Sequence, residues 1–313
     1  MRIFTIGETT YDILFRDGRP VGACSGGSAY NSAISLGRCG LSVSLISTFG
    51  NDHIGDLSLA FLTKNGVNCN LIKRFDGQSR IALAFFDSDN NADYSFYQAS
   101  KDVFPDYPVP QKNDIILLGS SFAVRDNGRE NLLGFLRQSK DAGCIIIYDP
   151  NARQSLTEKP EIVNKILENI VLATIIKGSD QDFRNIFGLT DGESVYSLIS
   201  ESGNQVLVYT KGAEGAELFT RDFHLEIVAN NTKVVSTIGA GDNFSAGIVY
   251  GLFKYLANNL LFEKLTLHEW KKIMDLGILF ASEVCGLSEN YLTEETGKRL
   301  RSNRMARRRD EER

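Results

Sequence analysis

The sequence is poor in the residues that usually hold metal ions or cross-link chains. Only three histidines occur in 313 residues, and no HExxH or HxH pair exists, so a histidine-based zinc hydrolase is not predicted. None of the five cysteines forms a CxxC pair. A zinc ribbon or a disulfide framework is therefore not expected, and a reducing, cytoplasmic location is favoured.

Long apolar runs and a strong basic charge are also lacking. The longest apolar stretches have about the length of a strand, such as Cys144–Tyr148, so no membrane span is predicted. Glu8 and Asp12 lie where a signal peptide needs its apolar run. The formal net charge of −5 argues against nucleic acid as a partner.

Three common phosphate or nucleophile motifs are absent as well. There is no GxxxxGK[ST] loop, no GxGxxG after the first predicted strand and no GxSxG elbow. These absences exclude a Walker-type ATPase and leave a dinucleotide-binding enzyme or a nucleophile-elbow hydrolase unsupported.

Short apolar runs without polar alternation indicate strands that are covered on both faces. The six runs are Ile3–Ile6, Val43–Ile46, Ile115–Leu118, Cys144–Tyr148, Ala173–Ile176 and Val206–Tyr209. Helical patterns fall between them at Ala29–Leu36, Ile54–Lys64, Arg129–Lys140, Ile162–Glu168 and Ser194–Ser200. This alternation predicts an α/β fold with three layers, a doubly wound and mostly parallel sheet between helices.

Two segments interrupt this rhythm with antiparallel patterns. Residues 80–98 alternate apolar and small side chains, pass a polar turn from Asp87 to Asp93, and resume with Tyr94, Phe96 and Gln98 on one face. Residues 11–23 predict a second hairpin that turns at Asp17-Gly18. Such additions form a small antiparallel lid, a dimer surface or an edge extension of the main sheet.

The last third of the chain is predicted to be helical, with one amphipathic helix around Phe244 to Leu256 and another over Leu267–Cys285. We expect one domain over residues 1–300 and a charged tail over residues 301–313. From Lys298 onward, eight Lys or Arg and three Asp or Glu give a net charge of +5 without interleaved aromatic residues. A solvated helix end is favoured over a surface for RNA or membranes.

The densest local pattern is STIGAGDNFSAG at residues 236–247, which opens an amphipathic helix. Two glycines around a small residue allow a tight turn, and the helix start adds unpaired N–H groups and a positive dipole. Such a loop suits a phosphoryl group, and Asp242 at its mouth can accept a proton from an attacking hydroxyl. The alternative is that Asp242 is only a helix N-cap.

A second glycine pair, in CSGGSAYN at residues 24–31, also enters a predicted helix. Asn31 would lie one turn into that helix, and Asp12 ends or interrupts an early strand. Asp and Asn side chains hydrogen-bond several hydroxyls at once, as sugar recognition requires. The alternative is an ordinary N-cap at Ser25 or Ser28 and a turn aspartate.

These motifs, in this order, resemble the ribokinase-like (PfkB) carbohydrate kinases, most of all the fructokinases. The matching segments are GGSAYN (26–31), GNDHIG (50–55), DPNAR (149–153), KGSDQD (177–182), TKGAEG (210–215) and GAGD (239–242). The resemblance covers roughly residues 1–290. It implies an ATP-dependent kinase that uses Mg²⁺ and phosphorylates a sugar hydroxyl.

The resemblance also implies a role for each matching residue. Asp242 would be the catalytic base, and the amides of Gly239, Ala240 and Gly241 would form the anion hole. The implied sugar contacts are Asp12, Gly26, Gly27, Asn31 and Arg153, and Arg153 can instead reach the transferred phosphate. The implied nucleotide contacts are Ser179, Thr210, Lys211, Gly212 and Gly215, and Asp182 would act on Mg²⁺ through water.

Two positions depart from the family pattern. Ser179 stands where the family usually has Asn, so contacts with phosphate or magnesium there would pass through water. Ser236 stands where the family usually has Asp, which removes a negative charge from the family's monovalent-cation site.

The predicted activity is that of a fructokinase, because the DPNAR segment occurs among fructokinases and 2-keto-3-deoxygluconate kinases. The alternatives are a 2-keto-3-deoxygluconate kinase, a ribokinase or, from another class, a non-catalytic sugar-binding protein on the same fold. The expected partners are a small sugar and ATP, with no nucleic acid and no membrane. Aromatic residues in segment 80–98 favour a homodimer through the lid strands.

Overall fold

The computed structural model of the chain describes residues 1–87, 92–97, 103–201, 203, 206–258 and 260–311. The strands are β1 (Ile3–Ile6), β2 (Thr10–Arg16), β3 (Arg19–Gly26), β4 (Val43–Gly50), β5 (Val67–Asn68), β6 (Ile72–Phe75), β7 (Ile81–Phe86), β8 (Ala92–Tyr97), β9 (Ile115–Gly119), β10 (Ile145–Asp149), β11 (Ile175–Ser179), β12 (Val206–Thr210), β13 (Ala216–Thr220) and β14 (His224–Ile227). The α-helices are α1 (Ser28–Arg38), α2 (His53–Lys64), α3 (Arg129–Asp141), α4 (Gln154–Thr157), α5 (Pro160–Leu172), α6 (Asp180–Phe187), α7 (Gly192–Ser200), α8 (Ala240–Leu256), α9 (Leu267–Cys285) and α10 (Glu294–Glu311).

Ten of the described strands form the main sheet, in the order β14-β13-β12-β11-β10-β9-β1-β4-β5, with β6 also paired to β4. The pairs from β12 through β4 to β5 and β6 are parallel, and β13 and β14 add an antiparallel edge. The predicted mostly parallel, doubly wound sheet is therefore confirmed. The antiparallel edge was not predicted, because its strands are short and carry charged residues.

The strands bury apolar residues on both faces of this sheet. Ile3, Ile115 and Ile145 pack with α1, α8 and α9 on one face, and their neighbours Phe4 and Ile116 pack with α3 and α5 on the other. Both faces are covered because the connections that follow β9, β10 and β11 carry helices α3 to α7 to one face, while α1, α8 and α9 cover the other. This explains why the strands read as continuous apolar runs.

The two predicted hairpins join into one smaller sheet, which we call the lid sheet, in the order β3-β2-β7-β8. Strands β2 and β3 pair around the predicted turn at Asp17-Gly18, and β7 pairs with β8. A parallel pairing of β2 with β7 connects the hairpins, and no local pattern indicated it. Residues 88–91 of the predicted polar turn, and Gln98, lie outside the described residues.

The lid sheet is attached where the strand order of the main sheet reverses. Strand β1 pairs with β4 on one side and with β9 on the other, so the chain winds away from it in both directions. In open α/β sheets, the carboxyl ends of strands at such a reversal form the ligand-binding crevice. Directly after β1, Glu8 forms ion pairs with Arg80, which leads into the lid sheet, and with Arg125.

Element boundaries shift from the predicted ones by a few residues. Strand β4 extends to Gly50, and α5 begins at Pro160 instead of Ile162. Asp12 lies within β2 rather than at the end of a strand. The backbone of the basic tail continues α10 to Glu311, and the domain boundary at residue 300 stays a prediction. Within the described ranges, no helix is long and apolar enough to cross a bilayer.

Candidate active site

Helix α8 begins directly after Gly239, which precedes it as the N-cap without any side-chain capping bond. Asp242 is therefore the third residue of the helix, and the alternative in which it serves only as the N-cap is wrong. The Asp242 carboxylate does not act as the N-cap, and it lies on the first turn, where the helix dipole is positive.

The backbone amides of this turn are the candidate donors for an anion. The amide of Ala240 donates to the carbonyl of Thr237 at 3.2 Å, so it already has an acceptor. The amides of Gly241 and Asp242 lie in the first turn, where the helix itself offers no carbonyl. Of the three amides predicted to form the anion hole, that of Gly241 lies in this turn, and the amide of Asp242 joins it as a candidate donor. The anion hole itself stays a prediction.

Helix α1 brings the amino-terminal glycine motif against this loop. Asn31 Nδ2 donates to Asp242 Oδ2 at 2.8 Å, and Ser32 Oγ donates to the carbonyl oxygen of Asp242 at 2.9 Å. These contacts join residues more than 200 positions apart along the chain. The N-cap of α1 is Gly27, without a side-chain capping bond, so Ser25 and Ser28 do not act as caps.

Asp12 and Asn31 carry the polar atoms expected at a sugar site. Asp12 is 7% exposed and accepts a hydrogen bond from Thr10 Oγ1 at 2.6 Å. Burial raises the pKa of Asp12, although Thr10 and the charge of Arg153 act against that rise. Asn31 Oδ1 is buried and has no hydrogen-bond partner among the described residues. A Cβ on Gly26 would lie 2.8 Å from Asp12 Oδ2, so any other residue at this position would displace the Asp12 carboxylate.

The lid sheet adds a residue that the sequence analysis did not assign to the site. Tyr94 of β8 lies under the guanidinium of Arg153, whose Cζ is 5.2 Å from the ring centroid. Burial and the charge of Asp12 raise the pKa of Tyr94 to about 12, so the phenol stays protonated at neutral pH. The sequence signal was the spacing of Tyr94 and Phe96, which places both on one face of the strand. This spacing did not reveal which part of the protein that face contacts.

A buried ion pair lies beneath the loop. Lys177 Nζ is 2.7 Å from Asp149 Oδ2, and both side chains are almost fully buried. Ser245 Oγ donates to the same carboxylate oxygen at 3.1 Å. Burial disfavours the charged lysine, but the carboxylates of Asp149, Asp182 and Asp242 outweigh it and raise the pKa of Lys177. Sequence reasoning missed this pair, although a lysine within the apolar strand IIKGS was a usable signal.

Ser179 and Asp182 form a capping box at the start of α6. Asp182 Oδ2 accepts from the amide and hydroxyl of Ser179, each at 2.7 Å, and Oδ1 accepts from the amide of Ala152 at 2.6 Å. Both oxygens thus already carry protein hydrogen bonds. A role of Asp182 toward Mg²⁺ through water stays a prediction.

The segment predicted for the nucleotide forms the turn between β12 and β13. Thr210 at the carboxyl end of β12 pairs with Ser179 at the carboxyl end of β11. Strand β11 also carries Lys177. Gly212 and Gly215 shape the turn, in which the amide of Lys211 donates to the carbonyl of Gly215. The ammonium of Lys211 is held by Glu217 at 2.5 Å, so the amides of the turn are better placed for a nucleotide than this side chain.

The crevice therefore combines a helix start that can bind an anion, a positioned carboxylate and buried polar groups under a lid sheet. This combination defines an enzyme of the phosphotransferase type, in which a phosphoryl group passes to a hydroxyl. Residues 2–288 match the family model described as pfkB family carbohydrate kinase, and the chain belongs to this family. The predicted family and the prediction of a carbohydrate kinase are confirmed.

Among similar proteins, a probable chloroplastic fructokinase-6 of Arabidopsis thaliana is 31% identical over 266 residues, which covers 80% of this chain and 67% of that protein. A fructokinase of Escherichia coli is 27% identical over 260 residues, which covers 80% of this chain and 84% of that protein.

Among solved structures, a fructokinase of Vibrio cholerae O395 bound to fructose, ADP and a calcium ion superposes with a TM-score of 0.81 at 20% identity, covering 96% of this chain and 98% of that chain. The aminoimidazole riboside kinase of Salmonella enterica, with its riboside and an ATP analog, gives 0.80 at 19% identity, covering 97% and 100%. These likenesses establish the fold.

Proposed function

We propose that the protein transfers the terminal phosphoryl group of ATP to a hydroxyl of a free sugar, with fructose as the preferred substrate. The hydrogen bond between Asn31 and Asp242 is the main observation behind this proposal. It joins the GGSAYN segment, predicted to contact a sugar, to the GAGD loop, predicted to bind a phosphoryl group. The names of the similar proteins support fructose as the acceptor.

Asp242 is the proposed catalytic base. Asn31 holds its Oδ2, which leaves Oδ1 to accept the proton of the attacking hydroxyl. The amides of Gly241 and Asp242 stabilise the negative charge on the oxygens of the phosphoryl group while this group is transferred. Lys177 keeps a positive charge under the loop, and Asp149 balances that charge in the protein interior.

The sugar is held by side chains around the base. Asp12 accepts hydrogen bonds from its hydroxyls, and the unpartnered Oδ1 of Asn31 accepts another. Arg153, stacked on Tyr94, closes the lid side of the pocket and donates to the sugar or the phosphate. We expect ATP to reach the site along the 210–215 turn.

Magnesium would arrive with the nucleotide and neutralise its phosphates when bound. An indirect contact through water suits Asp182, because amide and hydroxyl donors of the protein already hold both of its oxygens in place. Asp182 would therefore orient a water on the metal rather than bind it directly.

A sugar panel with a coupled ADP assay tests this function. We expect kcat/KM for fructose to exceed that for ribose, adenosine, 2-keto-3-deoxygluconate and a phosphosugar by about tenfold or more, a difference of about 1.4 kcal/mol in transition-state binding. A preference of this size for another compound would replace fructose as the substrate. Sugar binding by calorimetry without any ADP release would instead favour a non-catalytic binding protein.

A further inference from the structure

A cavity of about 630 Å³ lies at the antiparallel edge of the main sheet, between β12–β14 and helices α6 and α7. It is on the opposite face of the sheet from α8, whose start carries the GAGD loop. The family motifs give this cavity no role, although Asp180, Lys211 and Glu214 of the matching segments reach its lining.

Strand register gathers chemically useful side chains on the floor of this cavity. Tyr209 of β12 pairs with Glu217 of β13, which in turn pairs with Glu226 of β14, so the three residues form one row. His224 lies two residues before Glu226 and therefore projects from the same face of the sheet. A row across three paired strands is a rigid support for a binding site.

Glu217, His224 and Glu226 approach each other closely. Their candidate ligand atoms all lie within 4.8 Å of one another, and His224 Nε2 is 3.2 Å from Glu217 Oε2. Within the described part of the chain, no other group of three His, Cys, Asp or Glu side chains comes this close.

Two neighbours orient these side chains from outside. The His224 ring stacks on Phe219, with centroids 4.2 Å apart and planes inclined by 10°. Lys211 Nζ binds Glu217 Oε1 at 2.5 Å, which turns Oε2 toward the imidazole. Outer partners of this kind fix the direction in which metal ligands point.

Tyr209 provides an independent observation. Its side chain lines the same cavity and is only 1% exposed, yet its buried hydroxyl has no hydrogen-bond partner among the described residues. A buried polar group without a partner calls for a water or an ion. This hydroxyl can hydrogen-bond a water that completes the coordination of a metal.

The charge of the cavity favours a cation. In the described part of the chain, its lining contains six carboxylates but only Lys211 and His224 as basic groups. The carboxylates are those of Asp180, Asp191, Glu193, Glu214, Glu217 and Glu226. A concave surface lined by one sign of charge concentrates ions of the opposite sign.

We propose that Glu217, His224 and Glu226 bind a divalent first-row transition-metal ion, with Zn²⁺ as the best fit. One imidazole and two carboxylates, with water in a fourth position, form a tetrahedral set. Zinc bonds of about 2.0–2.1 Å place neighbouring ligand atoms about 3.3 Å apart, close to the 3.2 Å between His224 and Glu217. An imidazole ligand disfavours Mg²⁺ and Ca²⁺, which take oxygen ligands. The site does not depend on the proposed kinase reaction.

The untagged full chain, treated with a chelator and then titrated with Zn²⁺ in excess Mg²⁺ without nucleotide, tests this site by calorimetry. We expect one Zn²⁺ per chain in the micromolar range. X-ray absorption should give one imidazole nitrogen and carboxylate oxygens at about 2.0–2.2 Å. His224→Ala should weaken binding by more than about 100-fold, the largest effect expected from an outer partner alone. His268→Ala, which removes a histidine of α9 on the opposite face of the sheet, should leave it unchanged.

Glu226→Gln is the second test, because this exposed and nearly isosteric change keeps the strand intact while it removes a ligand charge. It should weaken Zn²⁺ binding by about tenfold or more, whereas Glu193→Gln on the facing wall of the cavity should not. Equal loss from both variants would reduce the site to general electrostatic attraction and overturn the proposal. The proposal would also be overturned if the wild-type chain did not bind Zn²⁺ in the micromolar range, or if the Asp242→Asn variant lost the bound Zn²⁺.

Discussion

Asp242 illustrates how one residue obtains its role from contacts rather than from its motif. In sequence it looks equally like a helix cap, but the cap position belongs to Gly239. Its carboxylate is held instead by Asn31, from a helix near the other end of the chain. A carboxylate fixed from outside its own helix is suited to accept a proton in a defined direction.

Asp242→Asn should abolish turnover while sugar binding persists. The amide keeps the size of the side chain but cannot accept the proton, so kcat should fall by about 10²–10⁴-fold or more. Coupled ADP assays and calorimetry with the sugar measure the two effects separately. Asp180→Asn, which changes an exposed carboxylate at the start of α6, is the matched control and should keep normal kcat. If Asp242→Asn retained more than about a tenth of wild-type kcat, Asp242 would not be the base.

At the scale of elements, the start of α1 depends on Gly27. Its φ of 117° lies in a region that other residues rarely adopt, and a Cβ there would lie 2.4 Å from the carbonyl oxygen of Glu8. The crossing of this backbone with the segment after β1 sets the position from which Asn31 reaches Asp242.

Gly27→Ala should lower the free energy of unfolding by at least about 2 kcal/mol, because strain in such a conformation alone costs about 1–3 kcal/mol. Urea denaturation measures the change. Gly134→Ala is the control within α3, where an added Cβ has no atom within 4 Å. It should raise stability by about 0.5–1 kcal/mol, since alanine favours helices over glycine. Equal stability of wild type and Gly27→Ala would contradict the close approach.

The loop before α8 is held by protein hydrogen bonds. The amides of Val235 and Ser236 donate to the carbonyl of Cys285 at 2.7 and 3.2 Å, and Ser236 Oγ accepts from the amide of Ile238 at 3.2 Å. Ser236 thus gives this loop a neutral hydroxyl where the family pattern has a carboxylate. Without that negative charge, little offsets the cost of dehydrating a monovalent cation.

Activity should therefore depend on Mg²⁺ but only weakly on K⁺. Assays at constant ionic strength, with K⁺ replaced by tetramethylammonium, measure this dependence. Ser236→Asp should create a K⁺ requirement, because it restores the negative charge beside the loop. A tenfold or larger fall of wild-type kcat without K⁺ would mean that backbone carbonyls and the Ser236 hydroxyl bind the ion by themselves.

At the scale of the whole molecule, the lid sheet has two different faces. Tyr94 on one face approaches Arg153 and the candidate site. The opposite face contains Phe15 stacked on Phe85, with ring centroids 4.9 Å apart, and Tyr97 is 58% exposed. A lid and a dimer surface, two of the three roles considered for this segment, are thus compatible, since one face lies toward the candidate site and the other faces outward.

We expect a homodimer through this outer face, because a second lid sheet would bury its aromatic area. Light scattering at micromolar concentration should give about twice the 34.7 kDa mass of one chain. Phe85→Lys, which places a charge on the outer face, should shift the mass toward the monomer. Val109→Lys is the control, because Val109 is exposed on the main body. A monomer mass for the wild type would leave these residues with a role within one subunit.

The sequence by itself determined the layers of the fold and the principal motifs. Apolar runs such as Ile115–Leu118 predict buried parallel strands, because their neighbours on both faces are helices. The glycine-rich helix start at 239–242 predicts anion binding from local backbone chemistry, and the side chains of Asp12 and Asn31 predict hydroxyl binding. Both signals are local, and each can be read within a dozen residues.

Only the tertiary structure decided which of these local features meet. The bond from Asn31 to Asp242, the pair of Lys177 with Asp149, and the parallel join of β2 with β7 all connect distant segments. The row of Tyr209, Glu217 and Glu226 depends on the register of a short, charged sheet edge. Register is set by the packing of whole strands rather than by the residues of one of them, and a shift by one position would turn each side chain to the other face.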